Sequence, residues 1–179
     1  MANASAKTIV AYWLCPGEPM RTYFATIIND LAAKFDAPAF EPHVTLYVTD
    51  AANENPSAVL ELVLKKRGAC RLSVRGLEYS NKFTKTVFVQ FEPDTELARS
   101  NADLRRASMV QNDYELNPHL SLIYKTMDRE TKREIADSIS LRFTTVAFDL
   151  VKAVISPAEI KSRQDVEAWR VVAEKKLSG

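Results

Sequence analysis

The feature that most limits how this chain can fold is a five-residue phrase written twice, Pro42-His43-Val44-Thr45-Leu46 and Pro118-His119-Leu120-Ser121-Leu122. Each copy heads a short apolar run, EPHVTLYV and NPHLSLIY, with the composition of a β-strand. Each is also framed by helical patterns. Ahead of the first copy, Phe24, Ile27, Ile28, Leu31 and Phe35 fall three and four residues apart after Pro19, until Pro38 ends the run. Behind it, Asn55 and Pro56 open a helix through Leu64 that Gly68 stops. Ahead of the second copy, Asp94 caps a helix-forming segment reaching Met109, and behind it residues 126–139 carry the alternating charges of an exposed helix. A helix, a short strand opening on Pro-His and a further helix therefore occur in each half of the chain.

Further strands are predicted at 8–14, closed by the turn Cys15-Pro16-Gly17, around 70–79 and 84–91, and along 141–155. Residues 166–177 read as one more, although their Ala and Glu content also permits a helix. Strands intermixed with helices in this order give an α+β fold class. No Gly/Ser linker or low-complexity tract divides the chain, and 179 residues, 46% of them hydrophobic, bury one sizeable core, so a single domain over 1–179 is expected.

Charge narrows the functional classes. Lys and Arg total 24 against 23 Asp and Glu and are scattered, so bulk electrostatics does not hold a long polyanion, and extended DNA is not an expected ligand. The densest basic run, Lys65-Lys66-Arg67 with Arg71 and Arg75, reads as the end of a helix. The opening MANASAKTIVAYWL lacks the apolar core and cleavage site of a secretory leader, and no apolar stretch approaches the roughly 18 residues of a membrane span. A soluble, cytoplasmic, monomeric protein is expected. Cys15 and Cys70 lack CxxC spacing and read as buried free thiols. With two histidines and no clustered cysteines, neither a metal site nor a cofactor is expected.

The doubled phrase also carries chemistry. It contains the only two histidines, and with Pro near 5% of average usage both would follow Pro by chance about once in 400. Residues i and i+2 of a strand share a face, so His43 with Thr45, and His119 with Ser121, each present an imidazole beside a hydroxyl, while Val44, Leu46, Leu120 and Leu122 point to the core. A lone histidine on an apolar strand is ordinarily structural, and Thr or Ser on a strand means little by itself. Two matched sets facing one cleft would surround a tetrahedral phosphate, with one imidazole as base, the other as acid, and the hydroxyls on the non-bridging oxygens.

In these motifs the chain resembles the two-histidine (2H) phosphoesterases, marked by a pair of H-x-[ST]-x motifs in two similar lobes, and most closely their cyclic phosphodiesterase branch. The resemblance extends to Trp13 before the Cys15-Pro16 turn, the approach from Phe40 to Thr45, and the VEAW run ending at Trp169. It implies a bilobal, pseudo-symmetric fold, with two antiparallel sheets facing a central groove and helices outside. It further implies catalysis by His43 and His119, phosphate binding by Thr45 and Ser121, and aromatic contacts to substrate from Trp13, Phe83 and Tyr124. The substrates it implies are ADP-ribose 1'',2''-cyclic phosphate and nucleoside 2',3'-cyclic phosphates, opened by a metal-independent hydrolase. The stretch NKFTKTVF around Phe83 departs from the family in being more polar and basic, so Lys82 or Lys85 could meet a second phosphate. Two alternatives stay open: processing of 2',3'-cyclic or 2',5'-linked RNA ends, and a nucleotide-binding module without turnover.

Overall fold

The structure, a computed structural model, describes residues 7–65 and 67–178. Residues 1–6, on which part of the expectation of no secretory leader falls, and Lys66 of the basic run lie outside the described residues. Seven strands and five α-helices follow in the order β1 (Thr8–Pro16), α1 (Met20–Phe35), β2 (Val44–Asp50), α2 (Pro56–Leu64), β3 (Cys70–Tyr79), β4 (Val87–Phe91), α3 (Thr95–Ala107), β5 (His119–Ile123), α4 (Arg129–Ser138), β6 (Thr145–Pro157), α5 (Arg163–Glu167) and β7 (Arg170–Lys176). The fold is α+β, and the helix-strand-helix unit expected twice is present as α1-β2-α2 and α3-β5-α4.

Local chemistry sets the boundaries. Asn55, Asp94 and Asp128 each accept a backbone N–H from the first turn of α2, α3 and α4, and Ser162 and Asp165 close a capping box on α5. The Asp128 cap explains why α4 starts later than its periodicity predicts. β4 likewise starts at Val87 instead of residue 84, because Phe83–Lys85 form a 3-10 turn in which the Ser80 hydroxyl donates to the Lys85 carbonyl at 2.5 Å. The ambiguous tail splits between both readings, a short helix and then a strand.

All strand pairings are antiparallel, in the order β1-β2-β5-β4-β3-β6-β7. The two facing halves belong to one hydrogen-bonded sheet, because the long β6 serves both. Its Thr145–Phe148 stretch pairs with β3 and its Phe148–Pro157 stretch with β1. The halves meet again at a single pair, Val44 of β2 with Leu120 of β5, closing a ring of six strands. One face carries the core. Val10, Tyr12, Leu14, Val44, Leu46, Leu120 and Leu122 are buried there with Phe24 and Ile28 of α1, Leu60 of α2 and Leu104 of α3. The alternate residues Ile9, Ala11, Trp13 and Thr45 face a groove on the other side.

Each motif strand is bulged at the same place. Between β1 and β2 the register runs from Tyr12–Tyr47 to Trp13–Thr45, leaving Leu46 unpaired; between β4 and β5 it runs from Val87–Ile123 to Phe88–Ser121, leaving Leu122 unpaired. The extra residue is in both cases the Leu that ends the P-H-x-[ST]-L phrase. A bulge re-aims neighbouring side chains, and here it sets an aromatic residue opposite each motif hydroxyl, Trp13 opposite Thr45 and Phe88 opposite Ser121.

Candidate active site

The groove, of about 340 Å³, is lined by Trp13, His43 and Thr45 from one half, by Lys82, Thr84, Lys85 and His119 from the other, and by Tyr114, Tyr124 and Trp169 from the segments between. Five of the seven residues expected at the site thus converge on one space. The other two stand one step back. The Ser121 hydroxyl donates to the Thr84 carbonyl at 2.8 Å, and the Phe83 ring lies behind Tyr124, 6.1 Å away between centroids, so the turn borders the groove with its neighbours Lys82, Thr84 and Lys85. A larger hollow of about 450 Å³ lies elsewhere, among Leu64, Arg67, Cys70, Glu96 and Leu97, but it holds no histidine and its Arg67 and Glu96 already pair at 3.0 Å.

Both imidazoles are held by one device. Nδ1 of His43 lies 2.7 Å from the Glu41 carbonyl, and Nδ1 of His119 lies 2.8 Å from the Asn117 carbonyl, in each case the residue before the motif proline. A carbonyl only accepts, so each Nδ1 carries a hydrogen, and each neutral ring keeps its free lone pair on Nε2. Proline helps by fixing the backbone between carbonyl and ring. The Glu41 side chain is anchored in turn by Lys152, whose ammonium donates to both carboxylate oxygens at 2.7 and 2.8 Å.

Desolvation dominates the electrostatics. Burial lowers His43 to about 4, against its hydrogen bond to Glu41, with His119 lowering it further. His119 is also lowered to about 4, first by burial and then by the Lys85 and Lys82 ammoniums, against its hydrogen bond to Asn117. Both rings are therefore neutral at pH 7 before any anion enters.

Around His43 stands an aromatic wall. Trp13 stacks face to face on the imidazole, 3.8 Å between centroids and 11° from parallel, and Trp169 meets Trp13 edge-on at 4.9 Å. Phe40 stacks on Tyr124 at 4.1 Å, and the indole N–H of Trp169 has no hydrogen-bond partner among the described residues. On the other side Phe88 meets His119 edge-on at 5.6 Å, and the Lys85 ammonium sits 4.2 Å from the Phe88 ring centroid. Phe88 and Tyr114 carried no signal in the sequence, since their positions depend on long-range register; Tyr114 donates its hydroxyl to the Thr45 carbonyl at 3.3 Å.

Neither cysteine belongs to the groove. Cys15 is buried behind Trp13 with its thiol pushed up to about 12 by desolvation; Cys70 is half-buried, less enclosed than expected, and both are free. Among the described residues no group of three or more His, Cys, Asp or Glu is placed to hold a metal ion, and no helix is long and apolar enough to cross a membrane.

Comparison with known proteins agrees with this arrangement. Residues 9–177 match the family model described as "Cyclic phosphodiesterase-like protein". The chain is 22% identical to a cyclic phosphodiesterase of Arabidopsis thaliana, over 93% of this chain and 94% of that protein. It is 27% identical to a 2',3'-cyclic-nucleotide 3'-phosphodiesterase of Yarrowia lipolytica, over 87% of this chain and 78% of that protein. In three dimensions it resembles E. coli LigT crystallised with 3'-AMP, with a TM-score of 0.59 at 12% identity, over 97% of this chain and 99% of LigT.

Proposed function

This chain belongs to the cyclic phosphodiesterase-like family of two-histidine phosphoesterases, and from that premise we propose that it hydrolyses cyclic phosphates on nucleotides with His43 and His119 as its acid and base. The observation that carries the reading is the shared presentation of the two rings, each with Nδ1–H on a carbonyl and Nε2 free, in one groove with Thr45. Phosphate binding alone needs no such pair; arginine or backbone amides would serve.

In this reading His119 takes a proton from water, and the water oxygen attacks phosphorus in line with the departing ribose oxygen. His43 delivers a proton to that oxygen as the P–O bond breaks. One feature supports this direction: the Lys82 and Lys85 charges disfavour an imidazolium at His119 and so keep it a base. Since both rings are neutral in the free protein, the proton on His43 arrives with the anionic substrate, whose charge favours imidazolium. The Thr45 hydroxyl, with no other partner among the described residues, is free to donate to a non-bridging oxygen.

The proposed substrates are nucleoside 2',3'-cyclic phosphates, opened at the 3' bond to leave the 2'-phosphate, and ADP-ribose 1'',2''-cyclic phosphate, opened to ADP-ribose 1''-phosphate. The name of the Yarrowia relative, a 3'-phosphodiesterase, supports the first direction. The test is chromatography of the adenosine product formed from 2',3'-cyclic AMP. Adenosine 2'-phosphate as sole product is expected; the 3' isomer would reverse the assigned leaving group.

A further inference from the structure

One wall of the groove is basic where the other is aromatic. Lys82 and Lys85 lie on the 3-10 turn beside His119 and both line the same space. Neither is paired with a carboxylate in a salt bridge among the described residues. Among the described residues the one carboxylate lining the groove is that of Glu115, on the segment leading to β5.

The turn is built to hold its position. The Thr86 hydroxyl, buried beneath it, lies 2.9 Å from both the Phe83 and the Lys125 carbonyls. The buried Lys132 reaches from α4 to donate to the Ser80 carbonyl at 3.1 Å and the Asn81 side chain at 2.6 Å, and Ser121 ties down Thr84. Ordering cost for two long cationic side chains is smaller when their backbone is already fixed. Lys85 is further restrained over the Phe88 ring, which itself abuts His119.

We propose that Lys82 and Lys85 form a subsite for a second phosphoryl group, so that the groove selects nucleotides carrying a phosphate in addition to the cyclic one. The inference rests on the cyclic phosphate occupying the space between His43 and His119. Two ammonium groups without a carboxylate partner among the described residues, on a fixed turn beside the histidines, suit a phosphate as point charges. The additional phosphate is either a terminal one on the same nucleotide or the internucleotide diester of an RNA end; both present anionic non-bridging oxygens.

The test measures product affinity, which does not require turnover. Trp13 and Trp169 are the only tryptophans and both line the groove, so their fluorescence reports occupancy. Adenosine 2'-phosphate, adenosine 2',5'-bisphosphate and the dinucleotide ApA bearing a terminal 2'-phosphate are titrated against the protein and against K82Q/K85Q, with K82Q alone as the exposed single change. The bisphosphate or the dinucleotide, according to the source of the phosphate, is expected to bind about tenfold tighter than the monophosphate. That advantage should shrink with added salt and fall below about twofold in K82Q/K85Q. The ratio between ligands cancels any effect of the lysines on His119. Equal affinities in the native protein, or an advantage that survives K82Q/K85Q, would overturn the subsite. Selective binding without turnover of 2',3'-cyclic AMP would instead overturn the catalytic reading and leave the subsite standing.

Discussion

Trp13 lies flat against His43, with ring centroids 3.8 Å apart, because a bulge places Trp13 directly opposite Thr45, two residues beyond that histidine. The stack removes water from one whole face of the imidazole, and desolvation is the largest cause of its lowered pKa. Trp13→Ala should therefore raise His43 from about 4 toward its ordinary 6.5, by at least one pH unit, while His119 moves less. With only two histidines, proton NMR titration of the imidazole resonances reads both directly. An unmoved His43 would show that the indole is not what keeps it dry.

Both rings neutral at pH 7, followed by one imidazolium in the complex, requires proton uptake on binding. Calorimetry of adenosine 2'-phosphate binding at pH 7, in buffers of different ionisation enthalpy, should give an uptake of about one proton. No uptake would mean that neither histidine gains a proton from the approach of the phosphate.

The same shifts bear on stability. A histidine at about 4 in the folded chain and near 6.5 unfolded means that, between those values, the unfolded chain binds more protons. Stability is fully present above about 6.5 and is lost as pH falls toward 4, by up to about 1.4 kcal/mol per pH unit for each ring. Urea denaturation at pH 7 and pH 5 should show a smaller pH difference in H43Q/H119Q than in the native protein; an identical difference would remove the histidines from the acid response.

Val44 and Leu120 form the only paired position joining β2 to β5, and both are fully buried. Leu120→Ala should cost about 2–5 kcal/mol in denaturant titration, the usual range for a buried leucine that leaves a cavity. It should also lower turnover, since Leu120 stands between His119 and Ser121. A loss under 1 kcal/mol would mean the two halves are held together by β6 alone.

Much of this was legible in the chain because it is local. The strands headed by Pro-His, the helices beside them and the i, i+2 pairing of imidazole with hydroxyl follow from periodicity and capping within a few residues. What the sequence hid is long-range. The bulges that strand Leu46 and Leu122 depend on partners in β1 and β4, and so do the placements of Trp13 and Phe88. That one strand, β6, serves both halves of the sheet is likewise a matter of tertiary pairing. The i, i+2 pattern turns Ser121 toward the phosphate, but its hydroxyl donates to the Thr84 carbonyl, on a turn that takes up the first residues expected of the strand at 84–91. The polar, basic character of NKFTKTVF points to Lys82 or Lys85 as phosphate contacts, and those two lysines, not Phe83, line the groove.

The central claim is that two imidazoles open a cyclic phosphate without a metal. Phosphorus NMR of 2',3'-cyclic AMP, incubated in excess EDTA with the native protein and with H43A/H119A, tests it most directly. The native protein should convert the cyclic resonance to that of a 2'-monoester, single H43A and H119A variants should be slower by about 10²–10⁴, and the double variant, still folded, should leave the substrate unchanged. Undiminished conversion by the double variant, or none by the native protein until a divalent cation is restored, would contradict the account.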